Sequence, residues 1–488
     1  MKKLYTMVLV LFFALNLHAQ VQRPKLVVGL VVDQMRWDYL YFYQKEYGEG
    51  GLKRLLNNGF SFENTLINYS PTVTAIGHTS AYTGSIPALH GICGNNFWQN
   101  DKYIYCCDDS TVQSVGSQSK QGQMSPRRML STTIGDELRL ATDFRSKVIG
   151  VALKDRAAIL PAGHSANAAY WWDSSVGHFI TSSYYMKTLP TWVEKFNKEN
   201  QKAPKYDIKK SNEGVTITFK MAEAALENEG LGQGDETDML TVSISSTDAI
   251  GHAYGTRGKE NHDVYMQLDK DLAHFLDVLD QKVGRGNYLL FLTADHGAAH
   301  NYNFLKEHNL PGGAFEYKKA VKDLNNHLQT TFGIKPVMGE DNYQFYFDDA
   351  MIAQAGKKKQ EVIDEAIDFL KQDEQYVFVF DNEKLAQTTM PDYIKTRMTN
   401  GYMNHRSGEI GFVTRAQYFG AKNAPDYKGT SHGQPYNYDS HIPWLMYGWH
   451  VKQGETNQEV TINDIAATIC GMLKIQAPSG CIGKAVLR

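Results

Sequence analysis

The 488-residue chain has no excess of basic residues: 50 Lys and Arg stand against 53 Asp and Glu, a formal net charge of −3. A surface that tracks a nucleic-acid backbone needs clustered positive charge, so duplex binding is not expected. No long run of one charge sign occurs, and there is neither an internal repeat nor a low-complexity tract. With 42% apolar and 21% charged residues the composition is globular, which excludes a disordered or fibrous chain. Cysteine is scarce, five in all, and no pair has Cys-x-x-Cys spacing, which argues against dithiol redox catalysis. Only one apolar run, at the start, has any bearing on a membrane.

Met1-Lys2-Lys3 is a short positive segment, Met7 to Leu17 is apolar apart from Asn16, and Leu17-His18-Ala19 places a small residue before Gln20. This pattern predicts a cleaved secretory signal over residues 1–19, with a mature chain of residues 20–488 in the periplasm or outside the cell. The run is short of the roughly 20 residues that span a bilayer, so the mature chain has no expected membrane span. No Cys follows the cleavage point, so lipid attachment there is not indicated. Loss of Lys2 and Lys3 takes the net charge from −3 to −5. Export makes structural disulfides the default for the cysteines. Cys470 and Cys481 flank a short loop, and Cys93 has Cys106 or Cys107 as a partner; spacing does not choose between them.

Five short β-branched runs end at polar residues and read as buried parallel strands. They are Lys25–Val32 ending at Asp33, Lys147–Leu153 ending at Lys154, Met239–Ser246 ending near Asp248, Tyr288–Ala294 ending at Asp295, and His441–Tyr447. Helical patterns lie between them. One is N-capped at Asn261 and carries Val264, Leu268, Leu272, Phe275 and Leu279 on one stripe. The alternation predicts an α/β fold, a mostly parallel central sheet flanked by helices. Ligands of such sheets sit beyond the carboxyl ends of the strands, where these polar residues gather. Residues 97–130, 157–235 and 301–400 are less regular and read as cap insertions. Within the second, residues 167–181 look like a hairpin and Tyr170-Trp171-Trp172 like cap core.

Carboxylates and histidines at the strand ends suit two divalent metals. Asp33 ends the first run. Asp248 and His252 are four apart, so one helical turn puts both on one face. Asp295 and His296 are adjacent and reach a common ion only from an irregular turn. His432 sits in Gly429-Thr-Ser-His-Gly-Gln. Mixed imidazole and carboxylate ligands favour zinc over magnesium or calcium. Each residue alone has an ordinary alternative as a cap or turn residue; three independent clusters together do not.

A nucleophile candidate lies in Asn68-Tyr-Ser-Pro-Thr-Val-Thr-Ala-Ile-Gly-His, where Pro71 biases a turn and a helix follows to about Gly84. Thr72 and Thr74 both have a plain reading as N-caps. A threonine hydroxyl attacks at neutral pH only if a metal lowers its pKa, and a helix N-terminus favours the resulting charge.

With these segments in view, the chain resembles the alkaline phosphatase superfamily, in particular its threonine-nucleophile, phosphate-irrepressible bacterial type. The resemblance rests on residues 68–78, on Pro87-Ala-Leu-His-Gly-Ile-Cys-Gly-Asn-Asn at 87–96, and on Leu-Lys-Asp-Arg at 153–156. It rests further on Ser-Thr-Asp-Ala-Ile-Gly-His at 246–252, Asp-His-Gly at 295–297 and Ser-His-Gly at 431–433. It implies Thr74 as nucleophile, forming a phosphothreonine, and two Zn²⁺. One ion would be held by Asp33, Asp295 and His296, the other by Asp248, His252 and His432. It implies Asn95, Lys154 and Arg156 as the phosphoryl-binding groups. His441 is the second choice for the position given to His432, while His78 and His90 are expected to fix local geometry.

The expected activity is hydrolysis of small phosphate monoesters with release of inorganic phosphate. The basic pair Lys154 and Arg156 decides this against the diesterase alternative, because a monoester dianion carries more charge to neutralise. Phosphodiesterases and nucleotide pyrophosphatases of the same metal frame are similar but lack such a pair. A sulfatase is disfavoured because Ser70-Pro-Thr-Val-Thr departs from the Cys/Ser-x-Pro-x-Arg motif of those enzymes, and a cytoplasmic phosphosugar mutase conflicts with the signal. A non-catalytic phosphate- or zinc-binding protein would show loss of the nucleophile or of a ligand, and neither is lost.

Overall fold

The computed structural model describes residues 22–99 and 102–487, so the expected signal segment lies outside the described residues. Ten strands form the main sheet: β1 (Leu26–Val32), β2 (Phe60–Phe62), β3 (Ser114–Val115), β4 (Val148–Ala152), β5 (Ala168–Asp173), β6 (His178–Ser182), β7 (Asp238–Ile244), β8 (Tyr288–Thr293), β9 (Trp444–Gly448) and β10 (Gly454–Thr456). Their order is β10-β2-β9-β8-β1-β7-β4-β5-β6-β3. The five in the middle, β8-β1-β7-β4-β5, pair in parallel. Every residue of β1, β4, β7 and β8 is buried, as strands covered on both faces require.

The fifth expected strand is corrected. His441–Ile442 pairs with Thr65–Leu66 in a separate small sheet, and β9 begins after Pro443 and runs antiparallel to β8. Proline donates no ladder hydrogen bond, so the run breaks there.

Five helices matter for the site: α1 (Thr74–Thr83), α2 (Asp155–Ala162), α3 (Asn212–Asn228), α4 (Ser246–Tyr254) and α5 (Lys259–Leu279). Helix α2 packs on β4 and β5, α3 on β7 and α5, and α1 on α2. Helix α5 starts two residues before the expected cap, after Gly258. Asn261 is inside it, buried, and donates to Tyr43 and Thr256, while the predicted apolar stripe is buried as expected.

Residues 157–235 do not stand apart as a cap. They supply β5, β6 and α3 to the main layers, with β5 and β6 as the expected hairpin. Tyr170, Trp171 and Trp172 are therefore core of the main sheet. In the 301–400 stretch, Val337–Asp341, Gln344–Phe347 and Tyr376–Asp381 join Ile410–Thr414 in a four-stranded sheet with its own apolar core. Asn96–Gln99 and Lys102–Tyr105 form an antiparallel pair.

All five cysteines are free thiols, contrary to the expected staples. Cys93 Sγ donates to the Gly91 carbonyl, whereas Cys106 and Cys107 face each other with their sulfurs 3.9 Å apart. Cys93 is thus turned toward its own loop rather than toward either partner.

Candidate metal centre

The site lies at the carboxyl ends of the parallel strands. Asp33 follows β1, Lys154 follows β4, Asp248 is in the first turn of α4 just after β7, and Asp295-His296 follow β8 in an irregular segment. Two close approaches bring α1 to this edge. A Cβ on Gly29 in β1 would fall 2.2 Å from the Tyr82 hydroxyl of α1, and one on Gly77 of α1 would fall 2.2 Å from the Asp295 carbonyl. Only glycine at both positions lets the helix carrying Thr74 sit against the strand ends.

Two groups of donor atoms converge here: Asp33, Asp295 and His296, and Asp248, His296 and His432. His252 joins the second group, with Nε2 3.1 Å from Asp248 Oδ1 and 3.3 Å from His432 Nε2. Its side chain is 39% exposed, whereas the other five residues are buried, so the centre opens to solvent at His252. His296 stands between the groups, its ring stacked on His432 at 3.6 Å. The i, i+4 pair Asp248 and His252 lies on one face of α4, as their spacing predicts.

The hydrogen bonds fix which nitrogen each imidazole presents. His252 Nδ1 is 2.8 Å from Thr430 O, His296 Nδ1 2.9 Å from Gly297 O, and His432 Nδ1 2.6 Å from Thr72 O. Each Nδ1–H donates to a carbonyl, so each Nε2 turns a lone pair into the shared space. Burial, then the neighbouring His296 and His252, hold His432 well below the ordinary imidazole range, and burial also lowers His296. Asp248 draws positive charge to His252 and raises its pKa against the effect of burial. Asp33 is pushed well above the usual carboxylate range by burial and then by Asp295. Among the described residues Asp33 Oδ1 and His296 Nε2 are buried with no hydrogen-bond partner. An unpartnered carboxylate oxygen and imidazole lone pairs aimed at one volume fit divalent cations.

Thr74 is the first residue of α1 and is buried, with Oγ1 3.4 Å from Lys154 Nζ. Lys154 Nζ spans Asp33 Oδ2 and Asp248 Oδ2, 2.6 Å from each. Asn95 Oδ1 accepts the backbone N–H of Ala75 at 3.0 Å, and among the described residues its amide NH₂ makes no hydrogen bond. Arg156 follows Lys154 two residues later, in the first turn of α2. Its Nη1 donates to the Tyr105 hydroxyl at 3.1 Å and lies 4.0 Å from Asp155.

Some supporting residues escaped the sequence reading. Gln34, in the left-handed region at φ 65°, donates from its backbone to Asp295 at 3.1 Å and from its side chain to Asp248 at 2.7 Å. His78, expected to fix local geometry, does so between Thr74 O at 2.9 Å, Ser243 Oγ at 2.7 Å and Asp295 Oδ2 at 3.2 Å. Asp439 accepts from Gly433 and Gln434 and holds the His432 turn, while its own carbonyl accepts from Gly297. Adjacency to Asp33 was the available signal for Gln34; Asp439 had none. His441 Nε2 is 2.8 Å from the Glu63 carbonyl and its ring stacks on Trp37, away from the ligand groups.

A family model for type I phosphodiesterases / nucleotide pyrophosphatases matches residues 27–435. Alkaline phosphatase PafA of Elizabethkingia meningoseptica is 44% identical, over 96% of this chain and 94% of its own length. A protein of Myroides odoratus named calcium-transporting ATPase is 45% identical, over 96% and 95%. Alkaline phosphatase PhoV of Synechococcus elongatus is 43% identical, over 96% and 93%. The crystal structure of wild-type PafA superposes with a TM-score of 0.92, covering 96% of this chain and 99% of that one.

Proposed function

The chain belongs to the alkaline phosphatase superfamily, and from that premise we propose that it is an exported two-zinc alkaline phosphatase that hydrolyses phosphate monoesters. The observation that carries this reading is the position of the Thr74 hydroxyl, at a helix N-terminus 3.4 Å from Lys154 Nζ and beside two groups of metal-ligating atoms. Asp33, Asp295 and His296 would hold one zinc, and Asp248, His252 and His432 the other. Bound there, the two ions would acidify the attacking hydroxyl and offset charge on the entering and leaving oxygens.

Thr74 Oγ1, having given up its proton to solvent, forms a bond to phosphorus as the bond to the leaving-group oxygen breaks. That oxygen takes up a proton and departs as the alcohol. Water then takes the phosphoryl group, releasing inorganic phosphate and the Thr74 hydroxyl. The N-terminal amides of α1 and the free Asn95 NH₂ donate to non-bridging oxygens. Lys154 offers a point charge and Arg156 a planar fork for the remaining charge of a monoester dianion. Such positioning and charge stabilisation are most of what phosphoryl transfer asks of a protein. Export rests on the residue 1–19 pattern. Among the described residues no helix is long and apolar enough to cross a membrane.

Acid-quenched turnover followed by peptide mapping tests the nucleophile. Phosphate is expected on Thr74, and Thr74→Ala is expected to lose turnover while keeping its zinc. Turnover by a zinc-replete Thr74→Ala protein would overturn the assignment. The family model's own description favours a second reading, a phosphodiesterase or nucleotide pyrophosphatase on the same frame. It predicts that diesters outpace monoesters.

A further inference from the structure

Lys209 lies in a tight 3₁₀ turn, Ile208–Lys210, just before α3. Ile208 is fully buried, and Ser211 Oγ donates to its carbonyl at 2.8 Å. Gly214, in the first turn of α3, is packed so tightly that a Cβ would fall 2.1 Å from Ser246 Oγ, 2.5 Å from the Ile208 carbonyl and 3.0 Å from Leu153 Cδ1. Leu153 directly precedes Lys154, and Ser246 opens the helix that carries Asp248. The turn is therefore fastened to the two chain segments that build the phosphoryl site.

The other basic residues of this region have partners. Lys202 pairs with Glu213 at 3.3 Å and Lys210 with Asp207 at 3.2 Å. Lys154 spans two carboxylates, and Arg156 engages Tyr105 and Asp155. Lys209 is half-buried, yet among the described residues its ammonium makes neither a hydrogen bond nor an ion pair. Burial, and then the like charges of Lys154 and Arg156, lower its pKa, and the carboxylates of Asp207 and Asp155 offset only part of this. A half-buried ammonium without a partner, on a turn packed against the segment that carries Lys154, is costly to desolvate, and an anion from outside the chain relieves that cost.

We propose that Lys209 forms a leaving-group subsite for substrates with a second anionic group, a carboxylate or a second phosphate, in the alcohol portion. The proposal rests on the phosphomonoesterase reading. The reacting phosphoryl group has Lys154, Asn95 and Arg156 to receive it, which leaves the unpaired Lys209 for charge elsewhere on the substrate. Lys209 selects among monoesters without touching the reacting atoms.

The test compares kcat/KM for 3-phosphoglycerate and glycerol 3-phosphate, which differ by one carboxylate, in the zinc-loaded full-length protein and in Lys209→Gln and Lys209→Arg. The ratio of the two values is expected to fall about tenfold in Lys209→Gln, chiefly through KM, and to be largely kept in Lys209→Arg, as for a partly desolvated charge-assisted contact. Raised ionic strength is expected to shrink the wild-type ratio. An unchanged ratio in Lys209→Gln, even with both values lowered together, would overturn the subsite alone. Absence of turnover of either ester by the wild type would overturn the phosphomonoesterase reading and the subsite with it.

Discussion

The Nε2 atoms of His252 and His432 face each other at 3.3 Å, each ring having spent its Nδ1–H on a backbone carbonyl. With both rings neutral, two lone pairs at that distance repel, and a cation between them removes the repulsion. Metal is therefore expected to be part of the folded state as well as of the chemistry. Stripping with a chelator should abolish turnover and lower Tm, and adding zinc should restore both at two equivalents per chain. His252→Ala should bind close to one equivalent. Titration calorimetry and thermal melts check this, and a Tm indifferent to chelation would contradict it.

Gly77 and Asp295 are in backbone contact, and there is no volume for a methyl group between them. Gly77→Ala should push α1, and Thr74 with it, off the strand ends. A displacement of this order costs about 100-fold in kcat/KM. Gly234→Ala, where a Cβ meets nothing within 4 Å, should leave kcat/KM within about twofold, since surface changes away from special features are small. Equal behaviour of the two variants would show that α1 does not need this contact.

His90 is fully buried, with Nδ1 accepting from the Ile92 N–H and Nε2 donating to Ser80 Oγ, both at 3.1 Å. Burial pushes its pKa down to about 3. The unfolded chain takes up a proton near pH ~6.5 that the folded chain refuses until about 3. The stability this neutral ring contributes is thus fully present above pH ~6.5 and is lost as pH falls toward 3. Urea unfolding between pH 7 and 5 should show stability falling with pH, and His90→Asn, which keeps an acceptor for the Ile92 N–H, should flatten that slope. Identical slopes would refute the account of His90.

Much of the centre was legible because each carboxylate ends a short β-branched run: Asp33 after β1, Asp248 after β7 and Asp295 after β8. His252 followed from helical spacing alone. What was illegible is what depends on contacts between distant parts of the chain. Gln34 reaches Asp248 across 214 residues, and nothing local to Asp439 marks it as the residue that holds the His432 turn. Local pattern also misjudged Tyr170-Trp171-Trp172. An apolar hairpin looks the same whether it caps a site or extends the main sheet, and only its pairing with β4 decides. The cysteines misled for a related reason, since sequence spacing says nothing about where the Cys93 side chain turns.

The most direct test is kcat/KM for an aryl phosphate monoester against the matching diester in the zinc-loaded mature protein, repeated in the Lys154→Ala, Arg156→Ala double variant. The proposed function predicts a strong monoester preference in the wild type. In the double variant monoester hydrolysis should fall by at least about 100-fold, as removal of charge donors at a transition state does, while diester hydrolysis changes far less. A wild-type preference for the diester, or an equal loss on both substrates, would contradict the role given to the two basic residues and pass the function to the phosphodiesterase reading.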